Sequence, residues 1–263
     1  MRSQNSFTMK SKFLLLIFSL LFSLVSNAYW QQEVKYSIDV KLNDKSHSLS
    51  AFESLVYINN SPDTLFYIYM HLWPNAYQDG TELAKQLLED GETLLYFNES
   101  KYTGKIDSLD FKVNGNSMLW GTMENYPDIA KIELKQDLLP GDSITITTPF
   151  RVKIPIGEVS RLGHIEETIP IDGELFNEKS YQISQWFPKP AVFDSIGWHR
   201  LPYLNTGEFY SEYGSFNVNI TTPKEYTIAA TGNKIKTTEN GDIKTISFSQ
   251  NRVHDFAWFV DND

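Results

Sequence analysis

Apolar and polar residues alternate with a period of two along much of the chain, the pattern of half-buried β-strands. Tyr36, Ile38, Val40 and Leu42 fall on one face, and Lys35, Ser37, Asp39 and Lys41 on the other. Ile144, Ile146, Phe150, Val152 and Ile154 repeat the pattern after a Pro140-Gly141 turn, and Phe216, Val218 and Ile220 make a third stretch. Asn240-Gly241, between Lys234–Thr238 and Ile243–Phe248, is a hairpin signal, because its tight turn needs positive φ. Strand-like runs also cover Leu55–Ile58, Thr64–Leu72, Ile106–Val113, Ala130–Leu134 and Val253–Val260. One helix is expected over Thr81–Asp90, where Leu83, Leu87 and Leu88 form a stripe and Gly91 ends the run. These elements predict an all-β, mostly antiparallel protein with one short inserted helix.

The N-terminus departs from this pattern. A basic leader (Arg2, Lys10, Lys12), an apolar run from Phe13 to Val25 and the small residues Ser26-Asn27-Ala28 predict a cleaved signal peptide over residues 1–28. That run is too short to span a bilayer, so no stable membrane span is expected after cleavage. Residues 29–263 are then read as one β domain of an exported protein, periplasmic or extracellular. The chain has no cysteine, so a buried core rather than disulfides must stabilise it. The formal net charge is −10, and the leader carries three basic and no acidic residues, which leaves the remainder at −13. Such an excess repels phosphate backbones and argues against nucleic acid as a partner.

Candidate chemistry is sparse. The five histidines, His47, His71, His164, His199 and His254, include no HExxH pair, which would present two imidazoles from one helix face with a glutamate as base. His164 is expected in a loop, and His71 and His254 are expected as hydrogen-bonded structural histidines in strands. Gly121-Thr122-Met123-Glu124-Asn125 differs by one residue from GAMEN, and its early position marks it as a loop or strand-edge coincidence. No GxSxG elbow, catalytic cysteine or P-loop is present. Catalytic and metal-ligating residues are therefore expected to be absent from this chain.

The densest feature is Tyr181–Tyr213, YQISQWFPKPAVFDSIGWHRLPYLNTGEFYSEY, rich in aromatic rings and interrupted by Pro188, Pro190 and Pro202. Fixed φ at proline and large apolar rings together make a rigid, shaped segment. Its QWFPKP and GEFYSEYGSF portions, with HLWPNAY inside Leu55–Tyr77, GEVSRLGH at Gly157–His164 and NRVHDFAWF at Asn251–Phe259, resemble the N-terminal domain of aminopeptidase N-like zinc metallopeptidases. The similarity is to the secreted bacterial branch and runs across the whole of residues 29–263.

The resemblance implies a saddle-like β-sandwich that packs against a thermolysin-like catalytic domain, with zinc held in that missing domain and no cofactor in this chain. Peptide would be a substrate of the complete enzyme only. It also implies that a glutamine near this segment binds the substrate's amino group, for which Gln182 and Gln185 are the candidates. Two rival readings remain open. One is an independent module gripping glycans or peptides with Trp186, Phe187, Trp198 and Tyr203, and the other is a scaffold subunit.

Overall fold

A computed structural model describes residues 30–262, apart from 98, 158, 172, 173 and 208, with the backbone alone described at 171, 175 and 176. The expected signal peptide lies outside the described residues. In chain order the strands begin with β1 (Glu33–Asn43), β2 (Ser48–Ile58) and β3 (Leu65–His71). A 3-10 turn at Trp73–Ala76 and helix α1 (Glu82–Glu89) follow. Short strands β4 (Lys105–Asp107), β5 (Lys112–Val113), β6 (Asn116–Ser117) and β7 (Leu119–Met123) lead into the long β8 (Tyr126–Leu138) and β9 (Ser143–Lys153). A long hairpin, β10 (Leu162–Ile171) and β11 (Glu174–Ile183), precedes three two-residue strands, β12 (Lys189–Pro190), β13 (Phe193–Asp194) and β14 (Gly197–Trp198). The chain then forms β15 (Gly214–Pro223), β16 (Thr227–Ala230), β17 (Asn233–Asn240), β18 (Ile243–Val253) and β19 (Trp258–Asp261).

These strands make one large sheet, ordered β17-β18-β15-β1-β2-β9-β5-β6 with β4 also on β9, two four-stranded sheets, β10-β11-β19-β16 and β12-β3-β8-β7, and a two-stranded sheet, β13-β14. None closes into a barrel. The fold is mostly antiparallel β with one short helix, as the alternation predicts. One ladder differs: β1 and β15 pair in parallel, Val34 opposite Gly214 through Lys41 opposite Thr221.

The alternation is realised strand by strand. β1 shows every second residue buried, from Val34 to Leu42, and β9 and β15 do the same. Helix α1 forms where the apolar stripe places it. The Thr81 hydroxyl caps it by accepting from the Ala84 N–H at 3.2 Å, and Leu83 and Leu87 point inward.

The core sits between the inner face of the large sheet and the chain around Trp186. Tyr36 of β1 stacks on Phe216 of β15 with ring centroids 4.4 Å apart, and Phe187 meets both rings edge-on. Trp186 packs against Phe150 of β9 and Trp258 of β19, and its indole N–H donates to the Phe256 carbonyl at 2.9 Å. Each ring brings a large apolar area, and the indole finds the acceptor that a buried donor requires.

Two strand expectations need correction. Ile106–Val113 is interrupted, because Ser108 turns the chain with φ of 62° between β4 and β5. Val253–Val260 is likewise broken by a bend at His254 between β18 and β19.

Candidate functional site

The QWFPKP segment turns its polar residues inward as well as its rings. Gln185 adopts φ of 55°, a left-handed conformation uncommon for a residue with a Cβ. Its side-chain oxygen accepts from the Lys189 ammonium at 2.7 Å. Lys189, only 2 % exposed, also reaches Asp255 at 2.8 Å and lies over the rings of Trp73 and Phe187, 4.6 and 5.1 Å from their centroids. This one cation therefore ties the strained turn, the β18–β19 connection and the 3-10 turn together. Burial lowers its pKa, and Asp255 and then Glu53 act against that shift.

Glu53 and His71 complete the buried polar group. Glu53 points inward from β2, where alternation would place an apolar residue, and its Oε2 has no hydrogen-bond partner. Burial pushes its carboxyl well above the ordinary range, and Lys189 opposes this. His71 pairs with Lys189 across β3 and β12. It was expected to be hydrogen-bonded, yet both ring nitrogens lack a partner, and its ring packs 4.6 Å from Trp73. Burial, then the neighbouring Lys189 charge, drives its pKa down to about 3. A neutral imidazole is the consequence, since the charged form would be both unsolvated and unpaired.

The two glutamine candidates separate. Gln185 is consumed by the interior clamp, whereas Gln182 is exposed on β11 and its amide donates to the Arg161 carbonyl at 3.3 Å. Gln182 lines a groove of about 290 Å³ on the outer face of β10, β11, β19 and β16. The aromatic candidates are likewise not a surface: Trp186, Phe187 and Tyr203 are buried, and Trp198 is partly covered by Tyr57, Tyr69 and Phe193. Rings that fill a core are unavailable for gripping a glycan.

His164 and His254 also depart from their expected places. His164 lies in β10, buried, with Nδ1 2.8 Å from the Pro155 carbonyl, because the chain at 155–157 runs alongside that strand. Its ring stacks on His47 of the β1–β2 turn, centroids 3.7 Å apart. His47 Nδ1 lies 3.0 Å from the Tyr181 hydroxyl, and its Nε2 lies 3.3 Å from Glu166. His254 is exposed in its bend and meets the Tyr213 ring edge-on. Among the described residues no three His, Cys, Asp or Glu side chains gather as metal ligands, so the donor set a hydrolytic zinc ion needs is not offered there. Gly121–Asn125 spans the end of β7, at the edge of its sheet, and the turn after it, as its position predicts.

The described residues form open, mostly antiparallel sheets around a buried aromatic core, a fold that resembles part of an M1 zinc metallopeptidase of known structure. A two-domain M1 zinc metallopeptidase variant solved with L-arginine superimposes with a TM-score of 0.50 at 16% identity, over 88% of this chain and 42% of that one. The M1 zinc metallopeptidase from Deinococcus radiodurans, alone and as a variant with a Tyr-Ser-Ala substrate, matches over the same shares with TM-scores of 0.48. This chain thus spans less than half the length of these structures, and at that identity the likeness is one of fold. No protein-family model and no curated protein matches the sequence.

Proposed function

We propose that this chain is the exported, noncatalytic N-terminal β domain of a zinc aminopeptidase-like metallopeptidase, a rigid wall against which a zinc-bearing catalytic domain packs. The observation that carries the reading is the overlap of 88% of the chain with a 42% portion of a two-domain M1 zinc metallopeptidase. The sequence stations HLWPNAY, GEVSRLGH, QWFPKP and NRVHDFAWF support it, as does the absence of HExxH from the 263 residues. The interior favours a wall over a reaction centre: Lys189, Glu53 and His71 are shut away from solvent, and Lys189 braces the turn that carries Gln185. Gln182 is the glutamine positioned to meet a ligand, because it lines an open groove. Peptide hydrolysis, zinc and the amino end of a substrate belong in this reading to the complete enzyme.

Two measurements test it. Coding DNA read in frame beyond Asp263 is expected to contain HExxH, and its absence counts against the reading. The purified chain, given zinc and a panel of aminoacyl anilides, is expected to show no turnover; zinc-dependent turnover abolished by a chelator overturns the noncatalytic assignment.

A further inference from the structure

Near β19 the sheet β10-β11-β19-β16 has one covered and one open face, whereas farther along the β10–β11 hairpin Glu166, Thr168 and Asn177 are exposed on the other face as well. Side chains alternate between faces, so the inward positions His164, Tyr181 and Val260 leave Gly163, Ile165 and Glu167 of β10 on the outer side. In register with these are Gln182, Ser180 and Glu178 of β11, and beyond them Phe259 and Asp261 of β19. β16 completes the face with Ala229 beside Phe259 and Thr227 beside Asp261.

Two grooves, of about 290 and 200 Å³, run over this face and share Ile165, Ser180 and Asp261. One end of the larger groove is closed by the chain at Gly157, which lies so close over Gly163 that a Cβ there would be 2.3 Å from the Gly157 Cα. Ile165 and Phe259, 50% and 51% exposed, stand as apolar walls.

The other end of the face is acidic. Glu167 stands directly opposite Glu178 across the β10–β11 ladder, a like-charge pairing that disfavours the sheet. Asp261 lies next to them in the shared groove. Among the described residues no lysine or arginine forms an ion pair with Glu167 or Glu178. Lys179 also lines the smaller groove, but its ammonium is bonded to the Asp44 carbonyl at 3.0 Å and paired with Glu166 at 3.4 Å. A cation placed between the two glutamates would relieve their repulsion, and the adjoining apolar walls fix what must accompany it.

We infer that this face binds an extended polypeptide segment of a partner protein that carries lysine or arginine next to a large apolar side chain. The cation enters between Glu167 and Glu178, and the apolar group rests on Ile165 and Phe259. Four strands at about 4.8 Å spacing are crossed by four or five extended residues at about 3.3 Å each, so a short segment suffices. The inference concerns a different face from the buried clamp, but it shares the Gln182 groove with the ligand contact proposed above and requires that groove to be free of a catalytic domain.

A backbone-amide NMR titration of the purified chain with acetyl-Lys-Leu-Lys-Leu-Lys-amide tests it. Saturable shifts are expected at Ile165, Ser180, Gln182, Ala229 and Phe259. Affinity should fall about tenfold in Glu167→Gln/Glu178→Gln, and also when salt is raised from about 50 to 500 mM, where surface charges are screened within a few ångströms. That double variant removes a repulsion, so an unchanged or raised melting temperature shows that it folds. Replacing leucine by serine in the peptide should weaken binding, and Glu239→Gln, on β17 of the large sheet, should leave it unaltered. The inference is overturned by shifts that do not saturate at these amides, by equal binding of the matching glutamate peptide, or by undiminished affinity in the folded double variant. None of these results bears on whether HExxH is encoded downstream.

Discussion

Replacing Glu212 by glutamine isolates the energetic effect of one buried carboxyl. Glu212 is 5% exposed, and its Oε1 has no hydrogen-bond partner. Burial raises its pKa from the ordinary 4.5 to about 7, against the opposing effect of the Gln31 side chain and the Phe193 and Gln32 backbone. The folded chain therefore holds a proton that the unfolded chain releases. Its contribution to stability is intact below pH 4.5 and is lost as pH rises through about 7. At about 1.4 kcal/mol per pH unit, the shift corresponds to about 3 kcal/mol at alkaline pH.

Glutamine is close to the protonated acid in shape and keeps one accepting oxygen, but it cannot ionise. Near pH 4.5 the two proteins should match within about 1 kcal/mol, whereas near pH 8.5 Glu212→Gln should be the more stable by about 2–3 kcal/mol. Urea unfolding followed by tryptophan fluorescence across this range reads the difference directly. Parallel stability profiles, or a wild type that gains on the variant as pH rises, would refute the reasoning.

Two further outcomes follow from the interior. Lys189→Met should cost about 3–5 kcal/mol in urea unfolding, since it strands Asp255 and leaves Glu53 without its nearest cation. Adding Glu53→Gln should recover part of that loss, and additive costs would show that the two residues are not coupled. His47 and His164 are both held below 6.5, chiefly by burial, while Glu166, Lys179 and Asp44 also act on His47, and His47 also lowers His164. Here the unfolded chain takes up protons more readily, so stability is present above pH 6.5 and falls as pH drops. His164→Gln should shrink the loss of melting temperature between about pH 7 and 5, and an unchanged slope would count against the stack as its source.

Local order was legible in the sequence, and long-range placement was not. β1, β9 and β15 follow their alternation residue by residue, and the expected hairpin forms with Gly241 at φ of 60°, although its turn residues are Gly241 and Asp242, with Asn240 paired to Ile243. Their periodicity reports one face against one core, which is a local property. The parallel partner of β1 lies far along the chain, and no periodicity encodes it. Similarly, His164 could not be placed in a strand from its neighbours, because the segment at 155–157 supplies its acceptor.

The candidate site shows the same division. Gln182 and Gln185 are three positions apart, but β11 ends between them at Ile183 and the chain turns inward at Ser184 and Gln185. One amide consequently lines a groove and the other is buried. Lys189 read as a charged residue among prolines, since its burial depends on Asp255 and Trp73 arriving from distant segments. The acidic pair on the outer face was visible only as separate glutamates until the hairpin register brought Glu167 opposite Glu178.

The β1–β15 ladder has a kinetic consequence. Asp39 and Asn219, joined by a hydrogen bond at 2.7 Å, are 180 residues apart. While the nascent polypeptide is shorter than that, β1 has β2 on one flank and an open edge on the other, where foreign strands can add. Closing so long a loop is entropically slow. The ribosome must nearly finish these residues before the central ladder can zip, which leaves a long interval in which a chaperone has something to hold.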